Sequence, residues 1–455
     1  MGFKKAILVL LLLIILTMGA ASAADTNTTS DNLAATEDKT LELSENDDFE
    51  DKLGIESSNH ISDTGNSTGK LTDLENVMSL TKDNHKENKS YDDILSAQND
   101  LNVLNTNYGT YSGLTTEIGS GGNIELNCDY YTYDSGDTIT ISTPNSVING
   151  KGAIIDMAGS PSMRAFEVTA SGVTIKNLTI KNANYNGDGG AIYFNSSGTV
   201  ENCNFTNNTA SNWGGAVYFS STGNVTKCNF FDNKAYDGGA VYFLADGTVS
   251  NCNFTDNTAS RYGGAVYFLA DGTVKNCNLT NNSANYGGGA IYFSSSGATH
   301  EVKNCNFIGN KATYNGGAVY FNSFGTVTNC NFTGNTADNG GAITMTSGTV
   351  TNCTFTNNTA SNWGGAVFSN GYLNIANCDF ANNKAKYGGV IYSRFSDNVK
   401  FRNCNFTNNL ATINGGAINF EYSGTLINCN FINNTAQMVK EAQLFFIGIV
   451  LTKVM

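Results

Sequence analysis

The sequence predicts an all-β chain wound as a right-handed, single-stranded parallel β-helix (a β-solenoid) of about 25 residues per turn, behind a disordered N-terminal spacer. Three observations predict it. Gly-Gly-Ala or Gly-Gly-Val recurs, counting its second glycine, at Gly190, Gly215, Gly239, Gly264, Gly289, Gly317, Gly341, Gly365, Gly389 and Gly416. Cysteine recurs in step at Cys203, Cys228, Cys252, Cys277, Cys305, Cys330, Cys353, Cys378, Cys404 and Cys429. The interval is 23 to 28 residues and most often 25. A fixed period of this size marks stacked units, none able to bury its apolar face alone. Leucine-rich repeats need a Leu-x-x-Leu-x-Leu frame, and calcium-binding nonapeptide repeats need a nine-residue period with regular Asp. Both are missing, which leaves one turn of a β-helix per repeat.

Composition agrees. The chain has 49 Gly, 2 Pro and only 14% charged residues in 455. Abundant Asn, Thr and Gly are poor helix formers, and no 3.6-residue apolar period is sustained. Parallel strands ~4.8 Å apart over about thirteen turns would make a rod on the order of 60 Å long. The net charge of −14 is concentrated: residues 25–100 hold 19 Asp or Glu against 6 Lys. No basic face is left to neutralise phosphates, which argues against nucleic-acid binding.

Taken in order, residues 1–23 read as a secretion signal. Lys4 and Lys5 start it, Ala6 to Leu16 form the apolar run, and Ala21-Ser22-Ala23 is a small-residue cleavage site. The run is short for a span of ~20 residues, so a retained anchor is the lesser reading. Residues 24–105 are acidic and patternless, too poor in apolar surface to offset their ordering entropy, and read as a spacer with one short helix possible near Tyr91–Leu104. Residues 106–188 read as an N-terminal cap and the first turns. Apolar pairs such as Ile139/Ile141, Phe166/Val168 and Val173/Ile175 mark short strands, with Pro144 and Pro161 between them. Residues 189–436 carry the ten repeats. Residues 437–455 form a short tail that reads as a truncated end or as a cover for the last turn.

Thr199–Phe219 serves as the model turn. Alternation points Val200 inward and Glu201 outward. Asn202 falls at a bend that calls for a left-handed residue, and the new phase turns Cys203 and Phe205 in and Asn204 out. Asn207 to Trp213 reads as a polar corner, and Gly214-Gly215 admits conformations closed to other residues. The strand Ala216–Phe219 follows. Its β-branched position holds in all ten repeats, from Ile192 to Ile418. Its Phe position runs from Phe194 to Phe420, with Met345, Ser369 and Ser393 as exceptions. Between them, Tyr193, Tyr218, Tyr242, Tyr267, Tyr292, Tyr320 and Tyr392 face outward by alternation and predict an exposed aromatic ladder. Like residues stack on like, as in other long β-ladders.

The pairing of Phe-x-x-Asn (Phe205/Asn208 through Phe431/Asn434, with Leu279/Asn282 once) and Gly-Gly-Ala-Ile or -Val resembles the repeats of chlamydial polymorphic outer-membrane proteins and of adhesin-like surface proteins of methanogenic archaea. The resemblance covers about residues 120–436. It implies a right-handed parallel β-helix displayed outside the cell, with a role in adhesion. The chlamydial proteins end in an autotransporter barrel, for which no room follows Asn434, so the archaeal comparison fits better.

Functional expectations follow from these residues. The ten repeat cysteines read as a buried ladder of free thiols, because parallel side chains suit disulfide geometry badly. The tyrosine ladder is the binding candidate, for a glycan or a cell-surface protein; the plainer reading is that Tyr suits an outward strand position. Catalysis needs clustered carboxylates. The best pair is Asp246 and Asp271, in Leu-Ala-Asp-Gly phrases of adjacent repeats, with Arg261 at a different corner. Asp-Gly also simply makes turns. Asn-x-Thr triplets such as Asn204-Phe205-Thr206 could accept glycans or be a by-product of the repeat. His60, His85 and His300 lack metal-ligand spacing and read as solvated. The leading expectation is an exported, non-catalytic, adhesin-like surface protein with neither metal nor cofactor. The alternative is a polysaccharide lyase or glycoside hydrolase on the same scaffold, and the third reading is a structural envelope component.

Overall fold

A computed structural model describes residues 106–295, 300–396, 398–438, 444–445 and 449–454. The chain divides into two units, Met1–Asn88 and Lys89–Met455, and every described residue lies in the second. The signal at 1–23, the spacer at 24–105 and the helix at Tyr91–Leu104 therefore fall outside the described residues. The second unit is a right-handed parallel β-solenoid of about 13 turns.

A typical turn contains four short strands, the first two of which fuse in Val319–Thr328 and Ile343–Thr351. In one turn they are Val217–Phe219, Gly223–Thr226, Asn229–Phe231 and Lys234–Ala235. All pair in parallel with their copies in the next turn, so Val217 meets Val241 and Val241 meets Val266. The other strands keep the same order, with Val225 on Val249, Phe230 on Phe254 and Ala235 on Ala259.

Three left-handed residues bend each turn. In the repeat after Val241 they are Asn251 (φ 56°), Asp256 (φ 57°) and Gly263 (φ 64°). Asn and Asp adopt this conformation more readily than other side chains, which explains their monotony at bends. Gly264 is required for a different reason: a Cβ there would lie 2.0 Å from the carbonyl oxygen of Gly289.

The interior is filled by like residues in columns. Val266, Phe268, Val274, Cys277 and Leu279 of one turn are all buried. Phe219, Phe243 and Phe268 stack with centroids 5.0 and 4.8 Å apart. The corner expected to be polar also contributes to the interior. Asn208, Asn233, Asn257 and Asn282 are buried, and so are Ala210, Ala235, Ala259 and Ala284 of the fourth strands. The left-handed bend resets the side-chain phase and turns the second Asn of each pair inward. Its amide group donates to the next Asn of the column and to a carbonyl one turn back; for Asn233 these are Asn257 Oδ1 and the Phe205 oxygen, both at 3.0 Å.

Both ends of the coil carry extra structure. A helix, Tyr111–Ile118, is capped by Thr110, whose hydroxyl accepts the Gly113 N–H. It buries Tyr111, Leu114 and Ile118, and the Tyr111 hydroxyl donates to the Ala165 oxygen at 2.7 Å. At the other end, Leu444–Phe445 and Ile449–Val454 pair with strands of the last repeat and occupy its open edge.

Candidate functional site

The tyrosines lie on the outer face of the first strand, as alternation requires, but they are not exposed. Tyr218, Tyr242, Tyr267 and Tyr292 form a second buried cluster, at 3% to 6% exposure. Tyr392 is also buried, and Tyr193 and Tyr320 are half-buried. Their rings stack on one another, Tyr193 on Tyr218 at 5.0 Å and Tyr242 on Tyr267 at 4.6 Å. The corner ahead of each Gly-Gly folds over them: Trp213 sits 5.3 Å from Tyr242, Tyr262 4.4 Å from Tyr292, and Trp363 5.5 Å from Tyr392. The expected exposed ladder is thereby corrected to a covered one. Burial pushes the Tyr242 and Tyr292 hydroxyls well above the usual tyrosine range.

The ten repeat cysteines are free and buried in one column, while Cys128 is half-buried. Each sulfur is fixed by main-chain groups. Cys252 Sγ accepts the Cys228 N–H at 3.3 Å and lies 3.1 Å from the Ser250 oxygen. Burial raises the Cys228 and Cys252 thiols far above the ordinary value, so they stay protonated.

The carboxylate pair sits where the first strand gives way to the second. Gly247 is forced at this bend, because a Cβ there would meet the Phe243 ring at 2.4 Å. The residue before it, Asp246, is exposed, and its equivalent Asp271 is half-buried. The Asp271 N–H donates to Asp246 Oδ1 at 3.2 Å. Both border a shallow open depression of about 350 Å³, together with Thr222, Asn224, Thr248 and Thr273. A second stacked pair, Asp232 and Asp256, occupies left-handed bends, and Asp232 there is held by Lys234 at 3.0 Å.

His300 adjoins this depression. It fills the column of small bend glycines, pairing with Gly272 on one side and Gly325 on the other. Its imidazole stacks on Phe293 at 4.7 Å instead of leaving the ring bare. Rather than being solvated it is 2% exposed, Nε2 lies 3.3 Å from the Ser295 oxygen, and the buried Nδ1 has no partner among the described residues. Burial lowers its pKa from 6.5, opposed by the Ser295 hydrogen bond and the Asp271 charge. Arg261 is at another corner, as expected, and grips the buried Asp237 carboxylate at 3.1 and 2.6 Å. Among the described residues no group of three or more His, Cys, Asp or Glu could hold a metal ion.

Sequence reasoning took His300 as solvated and missed a set of corner aromatics two residues ahead of the Gly-Gly pair: Tyr236, Tyr286 and Tyr314, at 44%, 49% and 47% exposure. Their signal was present, as the same column in nearly successive repeats.

The family model described as "Right handed beta helix region" matches residues 94–299 and 298–443. No curated protein matches the chain. Among solved structures, it is similar to the catalytic domain of a GH87 alpha-1,3-glucanase variant in complex with nigerose, at 13% identity and a TM-score of 0.38, covering 76% of this chain and 68% of that one. A second variant of that domain gives 13% and 0.39, covering 75% and 65%. A Geobacillus virus E2 protein, ORF18, gives 15% and 0.25, covering 81% and 66%. Likeness at this level is a likeness of fold. The glucanase structures are catalytic domains, against the expectation of a non-catalytic chain.

Proposed function

This chain belongs to the right-handed β-helix family, and on that premise we propose that it acts on polysaccharide, as an exported protein working outside the cell or at its surface. The observation that carries the reading is the Asp246–Asp271 pair at the edge of an open depression lined with Thr and Asn. Like residues of adjacent turns have main chains about one 4.8 Å repeat apart, which lets two stacked carboxyl groups flank one glycosidic bond, as retaining glycosidases require. The hydroxyls and amide beside them suit sugar hydroxyls.

In this reaction Asp271 protonates the glycosidic oxygen while Asp246, oriented by the Asp271 N–H, attacks the anomeric carbon. The bond to the leaving sugar breaks and a glycosyl ester forms on Asp246. Water then attacks the same carbon, gives a proton back to Asp271 and frees the Asp246 carboxylate. One water is consumed per bond cleaved.

Attachment to glycan at a surface is a second role, compatible with the first. It is favoured by the exposed amide ladder on the third strands, in which Asn229 donates to Asn204, Asn253 to Asn229 and Asn278 to Asn253 at 2.8 to 2.9 Å. The test is incubation of the purified chain with a panel of polysaccharides. Release of reducing oligosaccharides that Asp271→Asn abolishes supports the reading; release unaltered by that substitution removes the pair from it.

A further inference from the structure

Resting on that reading, we propose that Tyr236, Arg261, Tyr286 and Tyr314 form a stacking platform that receives a neutral polysaccharide beside the carboxylate depression. The four residues occupy one column at the corner ahead of Gly-Gly. The Arg261 N–H donates to the Tyr236 oxygen at 2.8 Å, Tyr286 N–H to the Arg261 oxygen at 2.8 Å, and Tyr314 N–H to the Tyr286 oxygen at 3.2 Å. The side chains therefore rise one per turn along the rod.

The surface they make is aromatic and open. The Arg261 guanidinium lies 4.8 Å from the Tyr236 ring centre, and the Tyr286 and Tyr314 rings are 5.5 Å apart. The stacked tyrosine cluster is already covered by Trp213 and Tyr262, so the open faces of these rings are not needed to cover it, although Tyr286 packs on Tyr262 at 5.7 Å. Contiguous apolar surface of this kind marks an interaction site. Tyrosine faces fit the C–H faces of sugar rings, with the hydroxyl left for polar contact.

Charge selects the class of glycan. Arg261 is spent on Asp237, whose side chain is 1% exposed, so the pair carries no net charge toward solvent. Among the four platform residues, the one cation is thus already paired, which leaves an acidic polysaccharide nothing to neutralise it there. Position then ties the platform to the chemistry. Tyr236 and Asp246 flank one strand, Val241–Phe243, and Arg261 and Asp271 flank the next, Val266–Phe268. The strand alone spans roughly 10 Å, so a glycan of several sugar residues is needed to reach across it and the bends at its two ends. Leu244 and Leu269, each 37% exposed, lie between.

The test is affinity electrophoresis of the full chain in gels containing a soluble neutral glucan or polygalacturonate. Retardation by the glucan and not by polygalacturonate is expected. The double variant Tyr286→Ala/Tyr314→Ala should weaken glucan binding about tenfold, from two lost aromatic contacts. Tyr286→Phe/Tyr314→Phe should bind as the parent does, because the ring faces remain. Equal binding by the alanine variant overturns the platform, as does loss of binding in the phenylalanine variant or retardation by polygalacturonate alone. Binding intact in Asp271→Asn with turnover lost supports platform and pair together. Binding by the parent chain without turnover removes the hydrolytic reading and leaves the platform standing.

Discussion

Asn257 gives two hydrogen bonds to a single atom of Asn282: its main-chain N–H at 3.1 Å and its side-chain amide at 3.0 Å both end on Asn282 Oδ1. Asn282 does the same to Asn310 at 3.0 Å each. A buried amide column of this kind satisfies the main chain at a corner where no strand pairing is available.

Replacing one member should therefore cost more than its own bonds. Asn257→Leu leaves the N–H and one side-chain N–H of Asn233 without their acceptor, and takes one donor from the Phe230 oxygen. At about 1–3 kcal/mol per unpaired buried group, the two donors bring a local loss of roughly 2 kcal/mol or more. Hydrogen exchange should show faster opening of the turns around Asn233, with distant turns unchanged, because a solenoid opens locally.

Gly264→Ala forces a methyl group against the Gly289 and Ser283 oxygens, 2.0 and 2.5 Å from the new Cβ. Main chain cannot yield as a side chain does, so the loss should be at least about 1–3 kcal/mol. A lowered urea midpoint checks it. Gly152→Ala, with nothing near its Cβ but a φ of 99°, should show strain alone and a smaller loss.

Thiol reactivity should divide sharply. Iodoacetamide on the native chain should label Cys128, which is half-buried, and reach the ten column cysteines only after denaturation. Peptide mass spectrometry reads the order directly. Because Cys228 and Tyr242 hold their protons in the fold, unfolding releases them above their ordinary values of 9.0 and 10.0. Stability should thus fall as pH rises past about 9.

His300 gives the opposite limb. Its folded pKa lies below 6.5, so the unfolded chain binds the extra proton first. Its contribution is complete above that value and is lost as pH falls below it toward the depressed folded pKa. Melting temperatures at pH 8 and pH 5 should differ less in His300→Gly, which restores the residue that fills this column in the neighbouring turns.

Much of this coil was legible in the repeat. The Cys and Phe columns, the β-branched position and the bend at Asn202 (φ 51°) followed from period and alternation. Three features were not. Asn207 and Asn208 are identical neighbours in sequence, yet one is exposed and the other buried, because a left-handed bend between strands resets which way a side chain faces. The tyrosine face is outward by alternation but covered by Trp213 and Tyr262, residues that belong to a different corner of the coil. His300 was hidden for a third reason: the interval between Cys277 and Cys305 is 28 residues, and the longer repeat obscures that the imidazole replaces a glycine.

The pairing of carboxylates from adjacent turns is tested most directly by proton NMR of the first sugar released from a defined neutral oligosaccharide. A product that initially keeps the anomeric configuration of the substrate, and that disappears in Asp246→Asn and Asp271→Asn, is the predicted result. Inverted product, or no release by the parent chain from any glycan it binds, would contradict it.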